Sequence, residues 1–386
     1  VNPRLSWRKL DEAVVKRFIT LYLIDIPNVI PNHLILQALR EPETLISLSL
    51  PDWDLLIRQA RRANLLARIC ILLDERGLLE QVSAKPREHL EWSRVISERH
   101  IQAVLWEITL IRKALAKVGV PVILLKGAAY VMAKLPSAKG RLFSDIDIIV
   151  PKGSLNAVEA ALMLHGWAAT HHDAYDQRYY RTWMHELPPM QHIKRMTVID
   201  VHHAILPETA ALHPDSAKLL AAVQPLDGYD DLKVFAPVDM VLHSAVHLFH
   251  NDQLDQGLRD LVDIDSLLRH FSSLPTFWPS LSARAHELEL TRPLFYALRY
   301  AVHLLNTPIP SGMMEAAQSG RPNPLTLIIT DQLFERALMP AHKSCSDWFT
   351  GAARQILYVR ATWLRMPTLL LARHLFHKAF ISPKPE

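Results

Sequence analysis

The chain has 386 residues, 49% hydrophobic and 21% charged, with a formal net charge of +4. These are the proportions of a soluble globular protein with two or three packed units, and the charge alone is too small to argue for a nucleic-acid partner. Its two cysteines, Cys70 and Cys345, have no metal-ligand spacing, no apolar run approaches a membrane span, and charges scattered through the first residues do not read as a secretory signal. A protein of the reducing cytoplasm is expected, with a single disulfide left open.

From about Val14 to Leu79 the chain reads as helices punctuated by Pro27, Pro31 and Pro51. The run "PDWDLLIRQARRANLLARICILLDERG" has helical apolar spacing and Asp52 or Asp54 to cap it. A second long helix is predicted from about Pro86 to Lys117, stopped by Gly119. The texture then changes. "VPVILLKG" reads as a buried strand entering a glycine turn, "AAYVMAKL" as a brief helix, and "DIDIIVP" as a strand closed by Pro151. "GSLNAVEAALMLHGW" follows as a helix capped by Ser154 and ended by Gly166. "RYYRTWMHEL", "MQHIKR" and "TVIDVHHAI", rich in aromatic and β-branched residues, predict further strands. From about Pro207 the pattern is helical again, clearest in "PVDMVLHSAVHLFHN" and "LRDLVDIDSLLRHF". The expected class is α+β: a small mixed sheet within a core at 86–206, flanked by helical regions at 1–85 and 207–386.

The tripeptide Asp-Ile-Asp occurs twice, and the two copies differ in meaning. In a strand, residues i and i+2 share a face, so Asp145 and Asp147 project together while Ile146, Ile148 and Val150 face a core. Two such carboxylates repel unless a cation lies between them, and as hard oxygen ligands they suit Mg²⁺. Asp263 and Asp265 belong to a helical pattern, where i and i+2 diverge, so they cannot share a metal. Around the first copy stand possible partners. Lys126 and Gly127 mark a strand-to-helix turn of the kind that faces phosphate oxygens, and Arg141 precedes Asp145 by four residues. Asp200 and, on its same face, His202 lie on a later strand. Three carboxylates, a glycine turn and cationic side chains suit metal-assisted phosphoryl chemistry.

The pattern "LLKGAA…RLFSDIDIIV…IDVHH" resembles the DNA polymerase β-type nucleotidyltransferase superfamily, and within it a bacterial group described as uncharacterised nucleotidyltransferases. The resemblance covers roughly residues 90–270. It implies transfer of a nucleoside monophosphate from an NTP, with Mg²⁺ or Mn²⁺ as cofactor, to an acceptor that is a small molecule, a peptide or protein, or RNA. By that analogy Asp145, Asp147 and Asp200 are the catalytic metal ligands. Lys126, Gly127, Ala128, Arg141 and His202 then form the nucleotide-binding set, with His202 in a supporting place. The wider superfamily puts Ser or Gly where Ala128 stands, so grip on the triphosphate falls to backbone and cations.

Other features admit other readings. His243, His247 and His250 lie on one helix face, as a cleft lining, as packing or as a transition-metal site, though no Glu follows His243. "HHD" at 171–173 is too short to support a metal-dependent phosphohydrolase. Residues 354–378 alternate Arg354, Arg360, Arg365, Arg373 and Lys378 with apolar residues and contain no acid. That composition suits a packed terminal helix with snorkelling arginines, a peripheral membrane contact or a grip on an acidic partner. The rivals to catalysis are thus a degenerate nucleotide- or partner-binding protein and a basic protein that binds membranes or nucleic acid.

Overall fold

The computed structural model describes residues 33–170, 174–250 and 254–367. The helices expected before residue 33, the run at 171–173 and the C-terminal stretch beyond 367 lie outside these residues. The N-terminal region is helical: α1 (Leu34–Arg40), α2 (Leu50–Arg62), α3 (Leu66–Glu75) and the long α4 (Ala84–Leu115). The apolar stretch at 51–77 is broken at Asn64, whose φ of +54° is one that asparagine tolerates. The cap of α2 is Ser49, whose hydroxyl accepts the Asp52 N–H, and not Asp52 or Asp54.

A seven-stranded sheet follows. Its strands in chain order are β1 (Val122–Leu124), β2 (Asp145–Ile149), β3 (Trp167–Ala169), β4 (Met190–His192), β5 (Val198–His202), β6 (Gln224–Leu226) and β7 (Tyr229–Val234). In space they run β3-β4-β5-β2-β1-β7-β6. β2 is central, antiparallel to β1 and parallel to β5, while β7 lies parallel to β1 on the far side. The connections carry α5 (Lys126–Met132), α6 (Leu155–Leu164), α7 (Ala174–Trp183) and α8 (Ser216–Ala221). The longer helices of the C-terminal part include α9 (Pro237–His250), α10 (Gly257–Phe271), α11 (Phe277–Glu287) and α12 (Thr291–Leu305), followed by the short α13 (Ser311–Ala316), α14 (Pro324–Ala337) and α15 (Thr350–Arg365).

Three further sequence expectations are corrected. The aromatic run in "RYYRTWMHEL" is helical through Trp183, and Tyr179 and Trp183, four apart, bring their rings to 5.8 Å. Aromatic content favours strands, but spacing at one helical turn decides here. Second, the sheet does not end near residue 206. β6 and β7 form a hairpin through Asp227-Gly228, with Gly228 at φ +80°. Asp-Gly is a strong hairpin signal; Pro225 sits on the sheet edge, where a missing N–H costs little. Third, the side chain of Ser154 makes no cap hydrogen bond to α6.

The second Asp-Ile-Asp proves structural. Asp263 is buried in α10 and accepts a hydrogen bond from Arg141 Nε at 2.8 Å, joining the C-terminal helices to the segment that leads into β2. Asp265 turns elsewhere, to Arg269 at 2.7 Å and the Thr307 hydroxyl at 2.6 Å. The Arg141 guanidinium also lies 5.1 Å from the Phe143 ring centre, and both crowd Gly127. A Cβ on Gly127 would meet Arg141 Nη1 at 2.4 Å and the Phe143 ring at 2.8 Å, so glycine is needed there for space. Further along, Phe249, Tyr296, Tyr300 and Phe334 form an aromatic cluster. Arg360 of α15 packs over Phe334 and donates to the Phe249 carbonyl, and Arg354 donates to that of Met339. These two arginines face inward, while Ile356, Val359 and Trp363 are exposed.

Removing one partner of a buried ion pair strands the other charge. Asp263→Ala should therefore lower unfolding free energy by about 3–5 kcal/mol in urea titration, and Asp265→Ala by distinctly less. Gly127→Ala should cost about 1–3 kcal/mol by the same measurement. Gly153→Ala, where an added Cβ meets nothing within 4 Å, should be close to neutral.

Candidate functional site

The register of β2 against β5 builds the site. Asp147 stands directly opposite Asp200, Asp145 opposite Val198, and Ile149 opposite His202. Since alternate residues share a face, Asp145, Asp147, Asp200 and His202 fall on one side of the sheet. Ile146 and Ile148 point the other way into the core. Oxygens of Asp145, Asp147 and Asp200 lie within 4.8 Å of one another, a spacing able to hold a metal ion. Asp145 is partly exposed at the strand start, beside a cavity of ≈ 80 Å³ bordered by His100 and Ala103 of α4 and by Thr197.

Asp147 is buried, and two cations meet its Oδ1: Lys126 Nζ at 2.9 Å and His202 Nε2 at 3.0 Å. Lys126 reaches it because the chain leaves β1 at Leu125, whose N–H donates to the Asp147 carbonyl, and then turns through φ +45° at Lys126. Burial alone would raise the Asp147 carboxyl, but the charges of Lys126 and His202 outweigh it and hold the group well below the usual range. Asp200 has the opposite fate. Burial, with the charges of Asp147 and Glu186 nearby, pushes its carboxyl up to about 7, and its Oδ1 is buried without a hydrogen-bond partner. Facing carboxylates have thus been driven apart in proton affinity by unequal access to cations. An orphaned, charge-crowded oxygen between two other acids fits a cation of oxygen preference such as Mg²⁺.

Sequence reasoning missed Glu186 and His185. Glu186 pairs in an isolated bridge with His202, and its Oε2 lies 3.2 Å from His202 Nδ1. His202 is therefore held between two carboxylates, whose charges outweigh burial and raise its pKa. The His185 ring lies 5.3 Å from that of His202 and is kept uncharged, by burial first and then by the His202 charge. The adjacent His-Glu at 185–186 was the visible signal, hidden inside a segment read as a strand.

The remaining predicted residues take different places. Lys126 joins the carboxylates, whereas Arg141 is tied to Asp263 and leans on the Gly127 turn. Ala128 is 2% exposed and packs in the core. α9 covers the site from the C-terminal side: Ser244 bonds the Tyr130 hydroxyl of α5 at 2.7 Å. His243 packs edge-on to Phe235, and burial with the Lys126 charge keeps His243 and His247 neutral. His250 is pushed down to about 3 by burial and by Arg360 and Arg365. Among the described residues, the three histidines are not one of the groups whose ligand atoms converge within 4.8 Å. Both cysteines are free and buried. No helix among the described residues is long and apolar enough to cross a membrane.

Comparison with curated proteins and with solved structures gives no match. A family model does match, over residues 49–306, from α2 through α12, and so takes in both parallel strands, the Lys126–Gly127 turn and the α10 helix that anchors Arg141. With more than half of the chain matched, the protein belongs to the family described as uncharacterised nucleotidyltransferase.

Proposed function

We propose that the protein is a Mg²⁺-dependent nucleotidyltransferase that moves a nucleoside monophosphate from an NTP to an acceptor on a small molecule, a peptide or protein, or RNA. The observation that carries this is the meeting of Asp145, Asp147 and Asp200 across two parallel strands, with Asp200 Oδ1 buried and unpartnered. Membership of a nucleotidyltransferase family supports the reaction class.

Asp145, Asp147 and Asp200 would hold the ion. Bound there, Mg²⁺ supplies neutralisation of phosphate charge and a lowered pKa for the attacking group. The chain's own residues do the rest. Asp147 stays ionised because Lys126 and His202 hold it so, and both meet Oδ1, leaving Oδ2 without a hydrogen bond among the described residues. In the metal-free site Asp200, raised to about 7, takes up a proton around neutrality, and a bound cation would displace it. Lys126 can exchange Asp147 for an incoming phosphate oxygen, because its cationic Nζ is the mobile end of a flexible stem. Arg141, fixed at Nε by Asp263, presents its Nη1 edge at the Gly127 turn, where a triphosphate charge would be met without reorganisation.

The test compares α-labelled and γ-labelled NTPs with Mg²⁺ or Mn²⁺ and a host extract. Label should pass from the α position, and Asp147→Asn should reduce transfer by at least about 100-fold. Transfer from the γ position would mean a kinase-like reaction and overturn the proposal. No transfer at all, with Mg·NTP still bound by Asp147→Asn, would favour the non-catalytic binding protein.

Asp200 also sets a stability test. Its carboxyl is raised from an ordinary 3.8 to about 7, so between those values the folded state binds a proton that the unfolded state does not. Stability from this group therefore falls as pH rises through that window. Metal-free Asp200→Asn should melt above the parent protein at pH 8, with the gap closing toward pH 4. Mg²⁺ should raise the melting temperature of the parent protein and leave that of the variant in place.

A further inference from the structure

Beside the carboxylate trio lies a second cluster with a different donor chemistry. One ring nitrogen each of His185 and His202 and an oxygen of Glu186 lie within 4.8 Å of one another. We propose that His185, Glu186 and His202 form a second metal site, for a borderline divalent ion of the Zn²⁺ class.

Donor type argues first. Two imidazoles and one carboxylate are a ligand set for Zn²⁺ and its first-row neighbours, while the oxygen-only trio suits Mg²⁺. Three protein ligands leave a fourth position for water or a ligand group. The second argument is His202's hydrogen bonding. Nε2 meets Asp147 Oδ1 at 3.0 Å, which fixes the ring and turns Nδ1 toward Glu186. A carboxylate that orients a histidine through its far nitrogen is the usual support for a metal-bound imidazole. Here Asp147 takes that part, so one carboxylate serves both sites.

His185 supplies the third and independent argument. Its Nδ1 is sealed from solvent and has no hydrogen-bond partner. The ion pair of Glu186 with His202 and the hydrogen bond of His202 with Asp147 would be complete without it and give no reason for an imidazole to be set there unsatisfied. A buried polar atom left unpaired is destabilising, and a metal–nitrogen bond offsets that. The ring is also held in its neutral, ligand-competent form. Binding balances simply: the proton on His202 Nδ1 leaves to solvent as nitrogen and ion join, Nε2–H stays on Asp147, and nothing is oxidised or reduced.

The test uses the full chain, stripped by chelator and titrated with Co²⁺ while excess Mg²⁺ fills the oxygen site. Expected are one Co²⁺ per chain with a visible d–d band, and two shifted imidazole N–H proton resonances. Glu186→Gln and His185→Gln should each weaken Co²⁺ binding by about 100-fold or more. The paired Asp145→Asn/Asp200→Asn variant should keep the band. A parent protein showing fewer than two shifted imidazole resonances would overturn the site, whether or not the variants fold. So would a band that survives Glu186→Gln but vanishes in the Asp145/Asp200 variant. Neither readout involves a nucleotide, so the outcome is separate from that of the transfer assay.

Discussion

The arrangement of the site depends on one buried carboxylate. Asp147 lies in the middle of the central strand, almost out of reach of water, and stays charged because Lys126 and His202 converge on a single oxygen. A lone carboxylate at that depth would take up a proton; paired with two cations it becomes a fixed negative point around which other groups are ordered. Its charge keeps Lys126 protonated in spite of burial. It also pushes the facing Asp200 toward neutrality, and through His202 it draws in Glu186. The polar residues of this face are a network whose members make sense only together.

The two Asp-Ile-Asp tripeptides show how secondary structure assigns meaning to identical letters. On a strand the pair is delivered to one face, where with Asp200 it makes a spacing able to hold a metal ion. On α10 the pair is split, and Asp263 becomes an anchor for Arg141 while Asp265 holds Arg269 and Thr307. The second copy nonetheless serves the first. By fixing Arg141 against Gly127 and Phe143, it sets the segment from which β2 departs. The helices are thus part of the site's framework as well as its cover, a role that α9 shares through Ser244 and Tyr130.

Much of this was legible in the sequence, and the gaps have physical causes. The strands at Val122, Asp145 and Val198 and the shared face of Asp145 and Asp147 follow from period-two alternation and turn residues, whereas the meeting with Asp200 rests on the pairing of β2 with β5, which alternation does not fix. The alternation also put His202 on the right face. What it could not reveal was contact between segments of irregular backbone. Glu186 reaches His202 through one isolated bridge, a pairing that leaves no periodic trace. The tie of Arg141 to Asp263 was equally hidden, because the two lie over a hundred residues apart and no local rule links them. β7 escaped because its polar outward residues, Asp231 and Lys233, masked the buried Leu232 and Val234.

That last strand changes how the chain can be divided. β7 closes the outer side of β1, and β1 is the strand that releases Lys126 toward Asp147. A fragment ending near residue 206 would keep every residue of the carboxylate trio yet leave β1 as a bare edge, with unpaired backbone groups open to another chain. Such a piece would be prone to edge-to-edge association, and the lysine's launching point would lose its flank. The natural seam of the sheet lies beyond Val234, so the carboxylate face and strands β6 and β7 belong to one sheet despite the helical segment between them.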